Sequence, residues 1–317
     1  MSWSQLVPLR RVLVSGPVLR PTYPRSSHTF AHCSPALKCA AAKLERHYST
    51  LTPSREITLA YSKSAPGEPG TTSYRRPVVI LHGLLGSKQN WNSLSKALAQ
   101  HMQTEVYTLD LRNHGDSPQV EPMTYAAMSQ DVVTFCEAHR LRQPLVVGHS
   151  MGGKVAMTLA LEHPGALGLL CVVDIAPLRI PLSDSFRTYL QGMQEVEKQQ
   201  FTKKADADRL LQPYVPNIAV RQFLLTNYKR HPGDTHYHFR VPLDTLLRSL
   251  PELGGFPAGE SASSFTKPTL FISGSQSDYV LPRYHGSIRQ LFPQTVFQNL
   301  DAGHWVHAEQ PHEFVKL

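Results

Sequence analysis

The stretch QPLVVGHSMGGKVAMTLALEHP, Gln143 to Pro164, decides the fold. Leu145 to Val147 are an apolar, mostly β-branched run that reads as a buried strand. Gly148-His149-Ser150-Met151-Gly152 follows at once and fits G-x-S-x-G, with Gly153 behind it. From Met151 on, Val155, Ala156, Leu159 and Ala160 fall at helical spacing, and His163-Pro164 stops the run. Strand, sharp turn and helix thus meet at a serine. Its hydroxyl is pushed out over the sheet edge, and the glycines let strand and helix backbones approach. At ordinary Gly and Ser frequencies the five-residue pattern alone arises by chance in about one chain in ten of this size. The competing reading is a glycine-rich turn whose serine caps a helix. The preceding strand, the following helix and three further motifs favour a nucleophile elbow.

Working toward the N-terminus, Pro77 to Leu81 reads as a buried strand that runs into His82-Gly83-Leu84-Leu85-Gly86. This turn is expected to offer the Leu84 backbone N–H toward Ser150, with the Met151 N–H as second donor. Two preorganised donors where negative charge develops make an oxyanion hole. The alternative is an ordinary strand-to-helix turn in which His82 satisfies a neighbouring carbonyl. Residues 54–63 alternate like a first antiparallel strand. Residues 90–101 predict an amphipathic helix, 105–110 a strand, 111–118 a polar turn at the rim of the site, and 129–138 a helix.

Toward the C-terminus, 167–173 is another apolar strand, ending at Asp174-Ile175-Ala176-Pro177. Residues 178–251 break the alternation and read as helices, a cap inserted between two strands of one sheet. Such a cap supplies apolar walls and excludes water. His236 and His238 suggest a metal pair, but a hairpin alternation explains them and no third ligand is evident. Strands are expected at 268–273 and 295–300, and Asp301-Ala302-Gly303-His304-Trp305 follows the last. A histidine there stands where a general base belongs in the order serine, acid, histidine. A serine hydroxyl is a poor nucleophile at neutral pH, so His304 would take its proton and return it to the leaving group, oriented by a carboxylate. His307 reads as helix-start structure. The pattern as a whole is α/β: a mostly parallel sheet with helices on both faces and an inserted helical cap.

The 317 residues suit one large domain with an insertion or two small ones, and 41% apolar content is ample for a core. No run approaches the roughly 18 apolar residues of a membrane span. The net charge is +8, but residues 1–48 hold seven basic residues and only Glu45, leaving 25 basic against 23 acidic beyond them. The basicity therefore belongs to a leader, and a nucleic-acid reading loses its support. Rich in Arg, Ser, Pro and Ala, residues 1–48 read as a mitochondrial transit peptide with a mature start near Ser49 after Arg46-His47-Tyr48, hence a matrix location. The competing readings are a disordered basic tail and a secretory signal. Cys33 and Cys39 fall in the leader, and Cys136 and Cys171 imply a reduced compartment.

HGLLG, GHSMGG, NHGDSP, VDIAP, GSQSDYV and AGHWVHAEQP together resemble the α/β-hydrolase superfamily, over residues 51 to the C-terminus. The resemblance implies the α/β-hydrolase fold over 49–177 and 252–317 with a cap at 178–251. It also implies a serine esterase acting on acyl esters such as diacylglycerols and monoacylglycerols, association with the 2-oxoglutarate dehydrogenase complex, and no cofactor or metal. The acid stays open. Asp174 matches the acid of related short-acyl esterases, and Asp244 matches the charge relay assigned in one branch of the family. Asp278 follows the next-to-last strand, the usual location, although there the acid sits three residues after the glycine, where this chain has Ser277. Asp174 and Asp278 are better placed at strand ends, whereas Asp244 reads as a cap-helix residue; Asp244 and Asp174 stand ahead of Asp278. The rivals are a thioesterase or amidase on the same catalytic groups and a low-turnover binding partner of a matrix complex. Ending at Leu317 leaves a short last helix, expected to uncover apolar sheet surface.

Overall fold

The computed structural model describes residues 57–66, 75–180, 182, 184–257 and 264–317. Residues 1–48, read from sequence as a transit peptide, the candidate mature start at Ser49, and Cys33 and Cys39 lie outside these residues. The chain runs β1 (Tyr61–Ser64), β2 (Val78–Leu81), α1 (Asn92–Met102), β3 (Val106–Leu109), α2 (Tyr125–Ala138), β4 (Leu145–His149), α3 (Met151–Glu162) and β5 (Leu169–Val173). It continues through α4 (Asp184–Lys198), α5 (Lys204–Leu211), α6 (Ile218–Leu225), β6 (Tyr228–Lys229), β7 (His238–Phe239) and α7 (Leu243–Leu253). The last part is β8 (Thr269–Gly274), α8 (His285–Leu291), β9 (Thr295–Leu300), α9 (Val306–Glu309) and α10 (Pro311–Lys316).

Seven strands form one sheet in the order β1-β3-β2-β4-β5-β8-β9. Only β1 is antiparallel, pairing Tyr61 with Leu109. Its approach alternates, with Ile57 and Leu59 buried and their neighbours outward, as an edge strand should. The central strands are continuous apolar runs; all four residues of β2, VVIL, are buried, because helices cover both faces. Right-handed crossovers decide which helix lies where. The step from β2 to β3 runs one way along the sheet and the steps from β3 to β4 and β4 to β5 run the other way. So α1 covers one face and α2 and α3 the opposite one. Accordingly α2 packs against α3, and α1 packs against α10. The alternation of direction also leaves the loops after β2, β4 and β5 neighbours at the carboxyl edge, where such sheets bind ligands.

Three sequence boundaries shift. The strand expected over 54–63 spans Tyr61–Ser64, residues 54–56 lying outside the described residues. Helix α2 starts at Tyr125 rather than at 129, because the Thr124 hydroxyl caps it by accepting from the Ala127 N–H. Helix α7 continues to Leu253, past residue 251, with Pro251 inside its last turn.

Between β5 and β8 the described residues form four helices and the two-stranded β6–β7 hairpin, in which Lys229 faces His238. Leu190, Met193, Leu211, Leu224, Tyr228, Phe239, Leu246 and Leu250 from this segment join the same buried apolar cluster as the sheet. Its last helix is also held by polar contacts from below. Buried Lys154 of α3 donates to the carbonyls of Gly254 (3.2 Å) and Gly255 (2.7 Å), and the Tyr125 hydroxyl donates to that of Leu253 (2.6 Å). A cation at a helix C-terminus complements the negative end of the dipole. Burial alone lowers the Lys154 pKa to about 8. Cys136 and Cys171 are buried free thiols, both pushed up to about 12 by desolvation. No helix among the described residues is long and apolar enough to cross a membrane.

Candidate active site

Ser150 stands between β4 and α3 with φ 53° and ψ −117°. A left-handed serine is strained, and it persists where surrounding contacts over-determine it. The main chain supplies those contacts: Ser150 N–H donates to the Val173 carbonyl (3.0 Å), while Lys154 N–H donates to the Ser150 carbonyl. The close approach requires glycine on both sides. A Cβ at Gly148 would lie 2.2 Å from the Gly152 carbonyl oxygen, and one at Gly152 would lie 2.4 Å from that of Leu81. G-x-S-x-G is therefore a packing requirement here as well as a motif.

His304, in the loop after β9, brings Nε2 to 3.0 Å from Ser150 Oγ. Its Nδ1 lies 2.7 Å from Asp174 Oδ2. The carboxylate can only accept, so the Nδ1 proton points to Asp174 and Nε2 is left to accept from the serine hydroxyl. Asp174 follows β5, has φ 52° and is fully buried. Such a carboxylate needs donors, and it has three: His304, the Gly274 N–H (3.1 Å) and the Ser277 hydroxyl. The imidazole itself is clasped between rings, with Tyr279 at 4.5 Å and His149 at 4.8 Å between centroids.

Asp244, ranked beside Asp174 from sequence, is corrected. It is exposed in the first turn of α7 and accepts from Gln194 Nε2 (2.6 Å). The single Nδ1 of His304 is already taken by Asp174. Asp278 is exposed as well. Ser277 occupies the place three residues after Gly274 and donates to the acid that comes from the neighbouring strand. One carboxylate at the β5 end thus serves the geometry that two strand ends share.

On the other side of the serine lies the HGLLG turn. A Cβ on Gly83 would lie 3.3 Å from Ser150 Cβ, so the peptide leading to Leu84 runs past the serine. Among the described residues nothing accepts from the Leu84 or Met151 N–H. Met151 opens α3, and the first N–H groups of a helix have no partner within it. Both donors named from sequence thus border Ser150 and are unspent.

Four further histidines surround the site, and all are buried. His82 donates from Nδ1 to the Gly83 carbonyl and accepts the Leu111 N–H at Nε2. His114 accepts the Leu85 N–H, and His149 donates to the His304 carbonyl (2.9 Å). His307, at the start of α9, stacks on Trp91 at 4.1 Å. Burial lowers the pKa of each, to about 3 for His114 and His307 and well below the usual value for His149. Neutral rings fix loops at no charge cost. His304 differs in having a carboxylate beside it. The support from His149 and His114 was missed in the sequence; proximity to the motifs was the only signal. Of the two hairpin histidines, His238 Nδ1 pairs with Glu197 Oε1 at 2.8 Å and His236 Nδ1 lies 2.8 Å from the Thr235 hydroxyl. Among the described residues no cluster of three or more His, Cys, Asp or Glu side chains is arranged to hold a metal ion.

Comparison with known proteins identifies the family. Residues 76–311 match the alpha/beta hydrolase fold family. The chain is 41% identical to the sn-1-specific diacylglycerol lipase ABHD11 of Mus musculus, over 75% of this chain and 78% of that protein. It is 38% identical to a probable alcohol acetyltransferase of Saccharomyces cerevisiae, over 75% of each. Among solved structures, a marine microorganism esterase superposes with a TM-score of 0.75 at 29% identity, covering 82% of this chain and 97% of that one. The chain belongs to the α/β-hydrolase family.

Proposed function

We propose that the protein is a serine esterase that cleaves the acyl esters of diacylglycerol-type lipids through an acyl-enzyme on Ser150. The observation that carries this reading is the unbroken line Ser150 Oγ, His304 Nε2, His304 Nδ1, Asp174 Oδ2, with links of 3.0 and 2.7 Å. The substrate class rests on likeness to the mouse diacylglycerol lipase.

In this reading Ser150 Oγ attacks the ester carbonyl while His304 Nε2 takes its proton. The Leu84 and Met151 N–H groups receive the oxyanion, each worth about 10²–10³ in rate. His304 then protonates the departing alkoxide, and Asp174 stabilises the imidazolium in between. Water, deprotonated by His304, attacks the acyl carbonyl, and the carboxylic acid leaves as Ser150 recovers its proton. An alcohol in place of water would give acyl transfer, the activity named for the yeast relative. The segment 178–251 acts as the lid; Phe223 of α6 approaches Trp305, beside His304, at 6.0 Å between centroids. Matrix targeting through residues 1–48 rests on their basic, acid-poor composition, and N-terminal sequencing of the organellar protein finding Met1 intact would refute it. Association with the 2-oxoglutarate dehydrogenase complex rests on the family resemblance alone; co-sedimentation with that complex tests it.

The functional test measures products from a diacylglycerol, an acyl thioester and an acyl amide, with and without ethanol. We expect free fatty acid from the diacylglycerol, abolished in Ser150→Ala. A folded protein that releases no acid from any ester overturns the reading; preferred thioester cleavage or ethyl ester formation would redefine the acceptor or leaving group.

A further inference from the structure

The HGLLG turn carries a strain that the rest of the chain must hold. Gly86 N–H closes the turn on the Gly83 carbonyl at 3.0 Å, and Leu85 adopts φ 63°. A γ-branched residue gains nothing from that region, and an L-residue is strained there. Two contacts offset the cost, and they come from different parts of the molecule. The Leu85 N–H donates to His114 Nε2 (3.1 Å), which belongs to the core loop after β3. The Leu85 carbonyl accepts from Asn227 Nδ2 (2.7 Å), which belongs to the segment between β5 and β8.

Asn227 is fully buried and sits at the base of the β6–β7 hairpin. The base is closed by Arg240 N–H donating to the Asn227 carbonyl (3.0 Å). The Arg240 guanidinium in turn reaches Asn227 Oδ1 (3.3 Å) and Ser87 Oγ (3.0 Å). The hairpin base therefore holds Leu85 and Ser87, while His114 of the core loop holds Leu85. We propose that Asn227 is a positioning residue: by holding the Leu85 carbonyl it sets the orientation of the Leu84 N–H, so the oxyanion hole is complete only when the cap hairpin is seated. The chemical logic is direct. The Leu85 carbonyl that Asn227 holds lies in the Leu85–Gly86 peptide, whose N–H donates to the Gly83 carbonyl, and that carbonyl lies in the Gly83–Leu84 peptide that carries the Leu84 N–H. A Leu85 released from its left-handed conformation turns the first plane and, through this hydrogen bond, the second. One of the two oxyanion donors then leaves its place. The cap thereby acts on the chemical step and not only on substrate entry. This inference rests on the esterase reading for its catalytic consequence but not for its structural one.

The test uses Asn227→Asp and Asn227→Ala in the full chain. Asn227→Asp keeps the shape, turns the Nδ2 donor into an acceptor that repels the Leu85 carbonyl and sets its charge beside Arg240, and it serves if Asn227→Ala fails to fold. Hydrogen exchange at the Leu85 amide should quicken at least tenfold in either variant. On a soluble acyl ester kcat should fall about 10–100-fold with KM within threefold. Inhibition by a trifluoromethyl ketone, whose adduct carries an oxyanion, should weaken by the same factor, and the pH profile should keep its shape because the serine, histidine and acid are intact. Unchanged Leu85 exchange overturns the clamp even if the wild type proves to have no esterase activity. Faster exchange with unchanged kcat, or a loss confined to KM, overturns its catalytic role. A wild type without ester turnover but with the exchange response refutes the esterase reading and leaves the clamp standing.

Discussion

At the carboxyl ends of the strands the buried side chains are largely polar: His82, Asp110, His114, His149 and Asp174 are each below 5% exposed. In the segment from α4 to α7 burial is mostly apolar, with Arg221 and Asn227 the buried polar residues among those described, and the acids remain partly or fully exposed. The first region stabilises a few fixed positions through hydrogen bonds made in low dielectric. The second stabilises a surface through area, which tolerates rearrangement. Chemistry that needs sub-ångström placement belongs in the first, and shape that selects an acyl chain belongs in the second. Asp174 and Asp244 show the difference in one residue type. Asp174 is buried under three donors; Asp244 meets water and one glutamine.

The largest expected effect separates these two acids. Asp174→Asn should lower kcat on a soluble ester by about 10³–10⁴ through loss of the correct histidine tautomer, whereas Asp244→Asn should change it less than about twofold, the scale of an exposed surface site. Steady-state kinetics on both variants decide it, and equal losses would erase the distinction. A second contrast compares two glycines. Gly152→Ala places a methyl against the Leu81 and His82 carbonyl oxygens at 2.4 and 2.5 Å, which should cost about 3 kcal/mol in denaturant unfolding. Gly286→Ala, in exposed α8 with nothing within 4 Å, should instead add about 0.5–1 kcal/mol.

The smallest effect lies at the seam, on Lys154. Its folded pKa, lowered by burial to about 8, lies below its ordinary 10.5. Below pH 8 the folded state therefore carries the full penalty of a buried charge. As the pH rises from 8 toward 10.5 the unfolded chain binds the proton that the folded one has lost, and stability gains. Relative to Lys154→Met, the wild type should gain up to about 2 kcal/mol across that window. Unfolding free energies of both proteins at pH 7.5 and 10 check the sign; a flat difference would mean the Gly254 and Gly255 carbonyls keep Lys154 charged.

The fold was legible where local pattern and topology coincide. The strand, glycine turn and helix around Ser150 are dictated by Cβ clashes within five residues, and apolar runs mark the parallel strands. His304 was legible by order along the chain. The acid was not, because Asp174, Asp244 and Asp278 differ by burial, which no local pattern around an aspartate records. In the sequence Ser277 stands out only as a departure from the usual acid, and only the assembled sheet shows it donating to Asp174 across 103 residues of sequence. Asn227 carried no signal at all; its partner Leu85 lies 142 residues away.

The central claim is that Ser150 is an activated nucleophile. Stoichiometric labelling of the purified protein with a fluorophosphonate, located by peptide mass spectrometry, tests it most directly. The account predicts one label per chain, on Ser150, and none in folded Ser150→Ala or His304→Ala. A folded wild type that stays unlabelled, or a Ser150→Ala protein that still labels, would contradict it.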